Sequence, residues 1–149
     1  MQTTRLRNLD VVKQWFNTLW EQADIAAIKN LSCTGITIEG QITAISGSPE
    51  DYGDMVMALN RLLVNISFAY ESPVEAGDLV AAKLLVSAQS ATTLQDVHFS
   101  GHFIARVEEG KVAEVSASMD YMKMFEQLGQ IPEDALAICL TGERLRWSG

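Results

Sequence analysis

The sequence predicts an α+β domain in which three N-terminal helices pack on a curved antiparallel sheet. Two observations carry this. Apolar residues recur at helical spacing through the first third of the chain, and from Asn65 onward the period changes to two. Helices first and long hairpin strands afterwards argue against an alternating α/β arrangement. A chain of 149 residues with 48% hydrophobic and 20% charged residues matches one domain, residues 1–149, with an ordinary core.

The first helix is marked by Leu9, Val12, Trp15, Phe16, Leu19 and Trp20, with Asn8 as its expected cap and Asp10 in its first turn. Asp24 is expected to cap a shorter helix carrying Ile25, Ile28 and Leu31. A β-branched run from Gly35 to Gly40 follows. Ser48-Pro49-Glu50-Asp51 then opens the third helix, with serine as cap and proline at the first helical position. Gly53 inside that helix costs about 1 kcal/mol relative to alanine, so it points to a close approach by another part of the chain.

Strands are expected over 66–74, 79–89, 97–107 and 111–119, and Pro132 opens a helical tail through Ala135, Leu136, Ile138 and Leu140. Glu108-Glu109-Gly110 reads as a three-residue hairpin loop. That loop pairs Val107 with Lys111. Phe99, Gly101, Phe103, Ala105 and Val107 then share a nearly all-apolar face with Lys111, Ala113, Val115, Ala117 and Met119. His98, Ser100, His102, Ile104 and Arg106 fall on the other, mostly polar face with Val112, Glu114, Ser116, Ser118 and Asp120. The same register sets His98 opposite Asp120 and His102 opposite Ser116.

A carboxylate beside a histidine is one arrangement for a general base. The alternative is a polar outer face, solvated or used in a symmetric homodimer contact. No metal site is expected, because His98 and His102 lie roughly 13 Å apart along a strand. No residue pattern points to an organic cofactor either.

The charge balance excludes some partners. With 11 basic against 19 acidic residues, the net charge is −8, and the basic residues are scattered except at Arg5–Arg7 and Arg144–Arg146. Nucleic acid and anionic membrane surfaces are therefore not expected as partners. Cys33 and Cys139 lie in no metal-ligand spacing and read as two buried, reduced thiols, with a single disulfide as the alternative. Met1 to Arg5 leads into an amphipathic pattern with no apolar signal core, and no run is long enough to span a bilayer, so the expected location is the cytoplasm.

Gly110-Lys111-Val112-Ala113-Glu114, Asp120, Gln127-Leu128-Gly129, Ala23-Asp24 and Gly47 together are similar to the pattern of SnoaL-like polyketide cyclases. These belong to the nuclear transport factor 2 and ketosteroid isomerase superfamily, with its cystatin-like fold. The resemblance implies a cone: a sheet wrapping the helices, a pocket at the open end, and often a dimer across the sheet's outer face. In this group a Trp-Asp pair commonly stands where this chain has Ser116 and Ala117. The catalytic positions of the steroid isomerases fall near Phe16, Gly40, Met55 and Phe103, none of them ionisable.

The expected pocket lining is Phe16, Trp20, Met55, Phe68, Phe99, Phe103, Val115, Ala117 and Met119. The expected occupant is a small apolar molecule. Should the chain be an enzyme of the cyclase, isomerase or dehydratase type, Glu39, Asp120, His98 or His102 would handle protons. Tyr52, Tyr70 or Tyr121 would then polarise a carbonyl. A protein-interaction scaffold is the third possibility.

Overall fold

The computed structural model describes residues 7–40 and 48–146. Gly47 and Arg5, named above, lie outside them. Helix α1 (Asn8–Phe16) runs directly into a π-helical turn, Asn17–Glu21. A 3₁₀ turn (Ile25–Ala27) and the single-turn α2 (Ile28–Leu31) follow. Then come β1 (Ser32–Glu39), α3 (Pro49–Leu62), β2 (Leu63–Ala76), β3 (Leu79–Ser90), β4 (Asp96–Glu108) and β5 (Lys111–Met119). Two short helices, α4 (Tyr121–Gln127) and α5 (Ala135–Leu140), complete the order.

The strands form one sheet in the order β1-β5-β4-β3-β2. Three of its pairings are antiparallel, as expected, and β1 pairs with β5 in parallel. The sheet bends around the helices because β2 is irregular twice, between Val64 and Ser67 and between Glu71 and Val74. Asn65 and Ser72 have φ of 54° and 52° at those points. An unpaired residue at such a bulge bends and twists its strand.

Local chemistry explains most of the boundaries. The Ser48 side chain accepts a 3.0 Å hydrogen bond from the Asp51 N–H, and Pro49 takes the first position of α3. Two caps differ from expectation. Asn8 is already helical, and its side chain donates 3.1 Å to the Gly77 carbonyl, tying α1 to the β2–β3 turn. Asp24 makes no side-chain cap. The close approach at Gly53 is real: a β-carbon there would sit 2.7 Å from the Ile25 Cγ2 methyl.

The last hairpin keeps the expected faces but not the expected partners. Its turn has two residues, Glu109 and Gly110, both with positive φ (51° and 76°), so Glu108 pairs with Lys111. An irregularity between Arg106 and Val107 then shifts the register again. Phe103 lies opposite Ala117, His102 opposite Ser118, and Gly101 opposite Met119. The total slip is even, so beyond the bulge inward residues stay inward. Before the bulge the faces are exchanged: Val112, expected outward, is buried along with Ala113, and Lys111, expected inward, is exposed.

The core lies between the helices and the concave sheet face. Trp15, Leu19, Val12, Val56, Val80, Val97, Phe103, Val112 and Met124 are fully buried there. Cys33 is half-buried and Cys139 exposed, both as free thiols, so neither is the buried thiol expected. The Trp15 Nε1–H donates 2.9 Å to the Ser32 Oγ, so this deep indole keeps its polar tip satisfied.

Candidate functional site

Beside this core, beyond Phe16 and Tyr52, the packing opens into a cavity. Its volume, counted for water centres, is about 60 Å³, several times the ~10–15 Å³ one water needs on that measure. The walls are Phe16 and Trp20 from the first helical stretch, Met55 and Leu59 from α3, and Phe68, Val86, Phe99, Val115, Ala117 and Met119 from the sheet. Ile38, Glu39 and Gly40 form the wall at the end of β1, and Tyr52 and Tyr121 complete it.

The π-helical turn sets one wall. Gln22 N–H bonds back to the Asn17 carbonyl at 3.1 Å, five residues away. π-helical turns recur at functional sites. This one is tied to the edge strand β2 at both ends. Asn17 Oδ1 accepts from the Tyr70 hydroxyl at 3.0 Å, and Glu21 Oε1 accepts from the Phe68 N–H at 2.7 Å. An edge strand has backbone donors without a ladder partner, and Glu21 satisfies this one. The two ties hold Trp20 against Phe68, with ring centroids 6.4 Å apart.

The polar groups at the cavity are few. Trp20 Nε1–H donates 2.8 Å to the Tyr52 hydroxyl oxygen, and both residues are buried. Burial holds the Tyr52 phenol protonated far above a tyrosine's ordinary range, and the indole bond to its oxygen only partly opposes this. Burial likewise pushes Tyr121 up to about 12. Tyr70 is raised by burial, with the Glu21 carboxylate adding to the effect. Glu39 lines the cavity at the end of β1, but it is exposed and pairs with Ser116, so its carboxylate shares that residue's outward face.

Eight of the nine residues expected to line the pocket do so. Phe103 does not. It is 1% exposed and packs beneath the cavity floor, 5.0 Å from Phe16 and 6.2 Å from Tyr70 between ring centroids. The four candidate proton-handling residues are not brought together. Glu39 alone of the four is among the cavity's lining residues.

His98 and His102 point from the outer sheet face. His98 lies beside Ser87, with Nδ1 3.2 Å from its Oγ, and Gln127 brackets the His98 backbone with bonds of 2.9 and 2.7 Å. Asp120 is not opposite His98. It bonds Ser100 through its backbone and caps α4, its Oδ1 accepting 3.1 Å from the Lys123 N–H. The two-residue turn and the bulge are the reason for the displacement. Among the described residues no cluster of three His, Cys, Asp or Glu side chains could hold a metal ion. No helix among them is long and apolar enough to cross a membrane.

The family model for SnoaL-like polyketide cyclases matches residues 10–128. This chain belongs to that family. The matched span runs from α1 to the end of α4 and so contains every wall of the cavity.

Among solved structures, the chain is similar to a candidate polyketide cyclase from Acidithiobacillus ferrooxidans, with TM-score 0.71 and 16% identity over 87% of this chain and 99% of that one. A candidate polyketide cyclase from Streptomyces antibioticus gives TM-score 0.71 and 17% identity over 83% and 99%. A candidate hydroxylase from Streptomyces galilaeus gives TM-score 0.70 and 17% identity over 91% and 94%. At such identities the shared property is the fold. No curated protein matches the chain.

Proposed function

We propose that the cavity takes up a small, mainly apolar molecule. The observation that carries this is the wall itself. Aromatic, Met and aliphatic side chains from the helices and the sheet converge on unfilled space, with Glu39, Tyr52 and Tyr121 as the ionisable residues lining it. Unfilled apolar space inside a close-packed interior forfeits contacts that an occupant restores. Burial of apolar surface at roughly 25 cal/mol per Å² would supply most of the affinity, so binding should depend little on salt.

A screen of small hydrophobic compounds tests the proposal, with Ala117→Trp as the blocking variant. Binding to the wild type that Ala117→Trp removes is the expected result. Equal binding to both would place the ligand elsewhere and end the proposal.

One observation favours a second reading, in which the site is catalytic. Glu39 is the carboxylate-bearing residue among those lining the cavity, while the strand position that carries an acid in many family members is Ala117 here. Cyclase or isomerase chemistry through a relocated base would follow. Turnover of a bound carbonyl compound that collapses in Glu39→Gln would establish it, and undiminished turnover in that variant would remove Glu39 from the reaction.

On the outer face, Ile104 is 56% exposed in the row of His98, Ser100, His102, Ser116 and Ser118. This supports a symmetric self-contact. A monomeric mass in light scattering at micromolar concentration would refute it.

A further inference from the structure

An indole is a hydrogen-bond donor and never an acceptor. The 2.8 Å bond between Trp20 Nε1 and the Tyr52 hydroxyl therefore has one possible direction, with the phenol oxygen accepting. The phenol's own proton is left over. Among the described residues nothing accepts it, while the Tyr70 proton is committed to Asn17. Tyr52 is only 7% exposed, and it and Trp20 both form cavity wall. A buried hydroxyl proton without a partner is unfavourable, and the adjoining free space is the cavity.

We infer that the cavity's occupant carries a neutral carbonyl oxygen and that the Tyr52 hydroxyl donates a hydrogen bond to it. The inference rests on the cavity being a ligand site, and it adds the polar requirement that an apolar wall alone does not set. The bond would be the second in a chain running from the Trp20 indole through the phenol to the ligand. Donation into the phenol oxygen polarises its O–H and strengthens the next bond. The phenol stays protonated across the accessible pH range because it is buried, so it serves as donor throughout. A carboxylate ligand fits poorly, because among the described residues no cation lines the cavity.

The test pairs acetophenone with 2-phenylpropene, in which a CH₂ group replaces the carbonyl oxygen at nearly constant shape. Affinities are measured for wild type, Tyr52→Phe and Tyr121→Phe. The ketone-to-alkene affinity ratio should fall about fivefold in Tyr52→Phe, the size of one neutral hydrogen bond, and hold steady in Tyr121→Phe. An unchanged ratio in Tyr52→Phe, or a fall confined to Tyr121→Phe, overturns the inference.

A second measurement needs no variant and covers the case in which Tyr52→Phe fails to fold. On binding to wild type, the ¹³C resonance of the acetophenone carbonyl should stay at or downfield of its position in water. Movement upfield, toward its position in a hydrocarbon solvent, would mean that no donor meets it and would refute the inference. If the alkene binds and the ketone shows no such bond, only the carbonyl requirement fails. If neither compound binds, the cavity reading fails and takes this inference with it.

Discussion

Two indole–hydroxyl pairs that meet where Trp15 packs on Tyr52 have different surroundings. On the core side, Trp15 donates 2.9 Å to Ser32, with Trp15 fully buried and Ser32 6% exposed. On the cavity side, Trp20 donates 2.8 Å to Tyr52. In both pairs the hydroxyl accepts, and in both no acceptor for its own proton is found among the described residues. A leftover proton by itself therefore does not mark a binding group. Ser32 faces packed protein, whereas Tyr52 faces unfilled space lined by Phe68, Phe99 and Met119. The same bond is structural in one place and available to a ligand in the other, and packing alone decides which.

The largest contrast should come from removing the indoles. Trp15→Ala empties a site at 0% exposure that Phe16 and Tyr52 pack against. A loss of about 3–5 kcal/mol is expected from urea denaturation, the usual range for deleting a buried large aromatic. Trp20→Ala already borders free space and should cost clearly less. Equal losses would mean the open end is packed like the core.

Next in size are Ser32→Ala and Tyr52→Phe. Each removes the acceptor for a buried indole N–H, so each should cost about 1–3 kcal/mol. Only Tyr52→Phe should also weaken ketone binding. Weakening by Ser32→Ala would break the distinction between the two pairs.

A smaller effect appears in alkali. Unfolded tyrosine loses its proton near pH ~10, while native Tyr121 holds its proton to about 12 and Tyr52 holds it higher still. Between those values the unfolded chain binds fewer protons than the native one, so stability falls as pH rises above 10. Urea midpoints at pH 9 and 11 should show that loss shrinking in Tyr52→Phe and unchanged in Ser32→Ala. The smallest effect, about 1 kcal/mol, is expected for Ser48→Ala, which removes the cap of α3 and should leave the cavity's ligand preference as it was.

The faces of the last hairpin could be read from the sequence because alternation survives any even slip. The partners could not, because Glu109 takes a positive φ unusual for its residue type and Ala113 adds a bulge. His98 and Asp120 were consequently paired on paper and stand apart in the fold. The apolar wall was legible from Phe16, Trp20, Met55 and Phe68, which lie on the inward stripes of their elements.

Phe103 belongs to the same stripe as Phe99. Its depth, which makes it core, depends on how far along the cone each residue falls, and periodicity carries no such information. The π-helical turn was hidden for a related reason. Its five-residue hydrogen bond leaves the apolar spacing through Leu19 and Trp20 looking like ordinary helix. Helix α4 leaves no separate mark in the sequence, because Asp120 continues the alternation of the strand while its side chain caps the helix.

The methionines offer the most direct test that the open end is the ligand site. Met55 and Met119 line the cavity, Met124 is fully buried in the core, and Met57 and Met122 are 47% and 39% exposed. With ¹³C-labelled methyl groups, titration with 2-phenylpropene should move the Met55 and Met119 resonances together, in a saturable way, while Met124, Met57 and Met122 stay in place. Shifts confined to Met57 and Met122, or none at Met55 and Met119 at saturating probe, would contradict a binding cavity at this end of the cone.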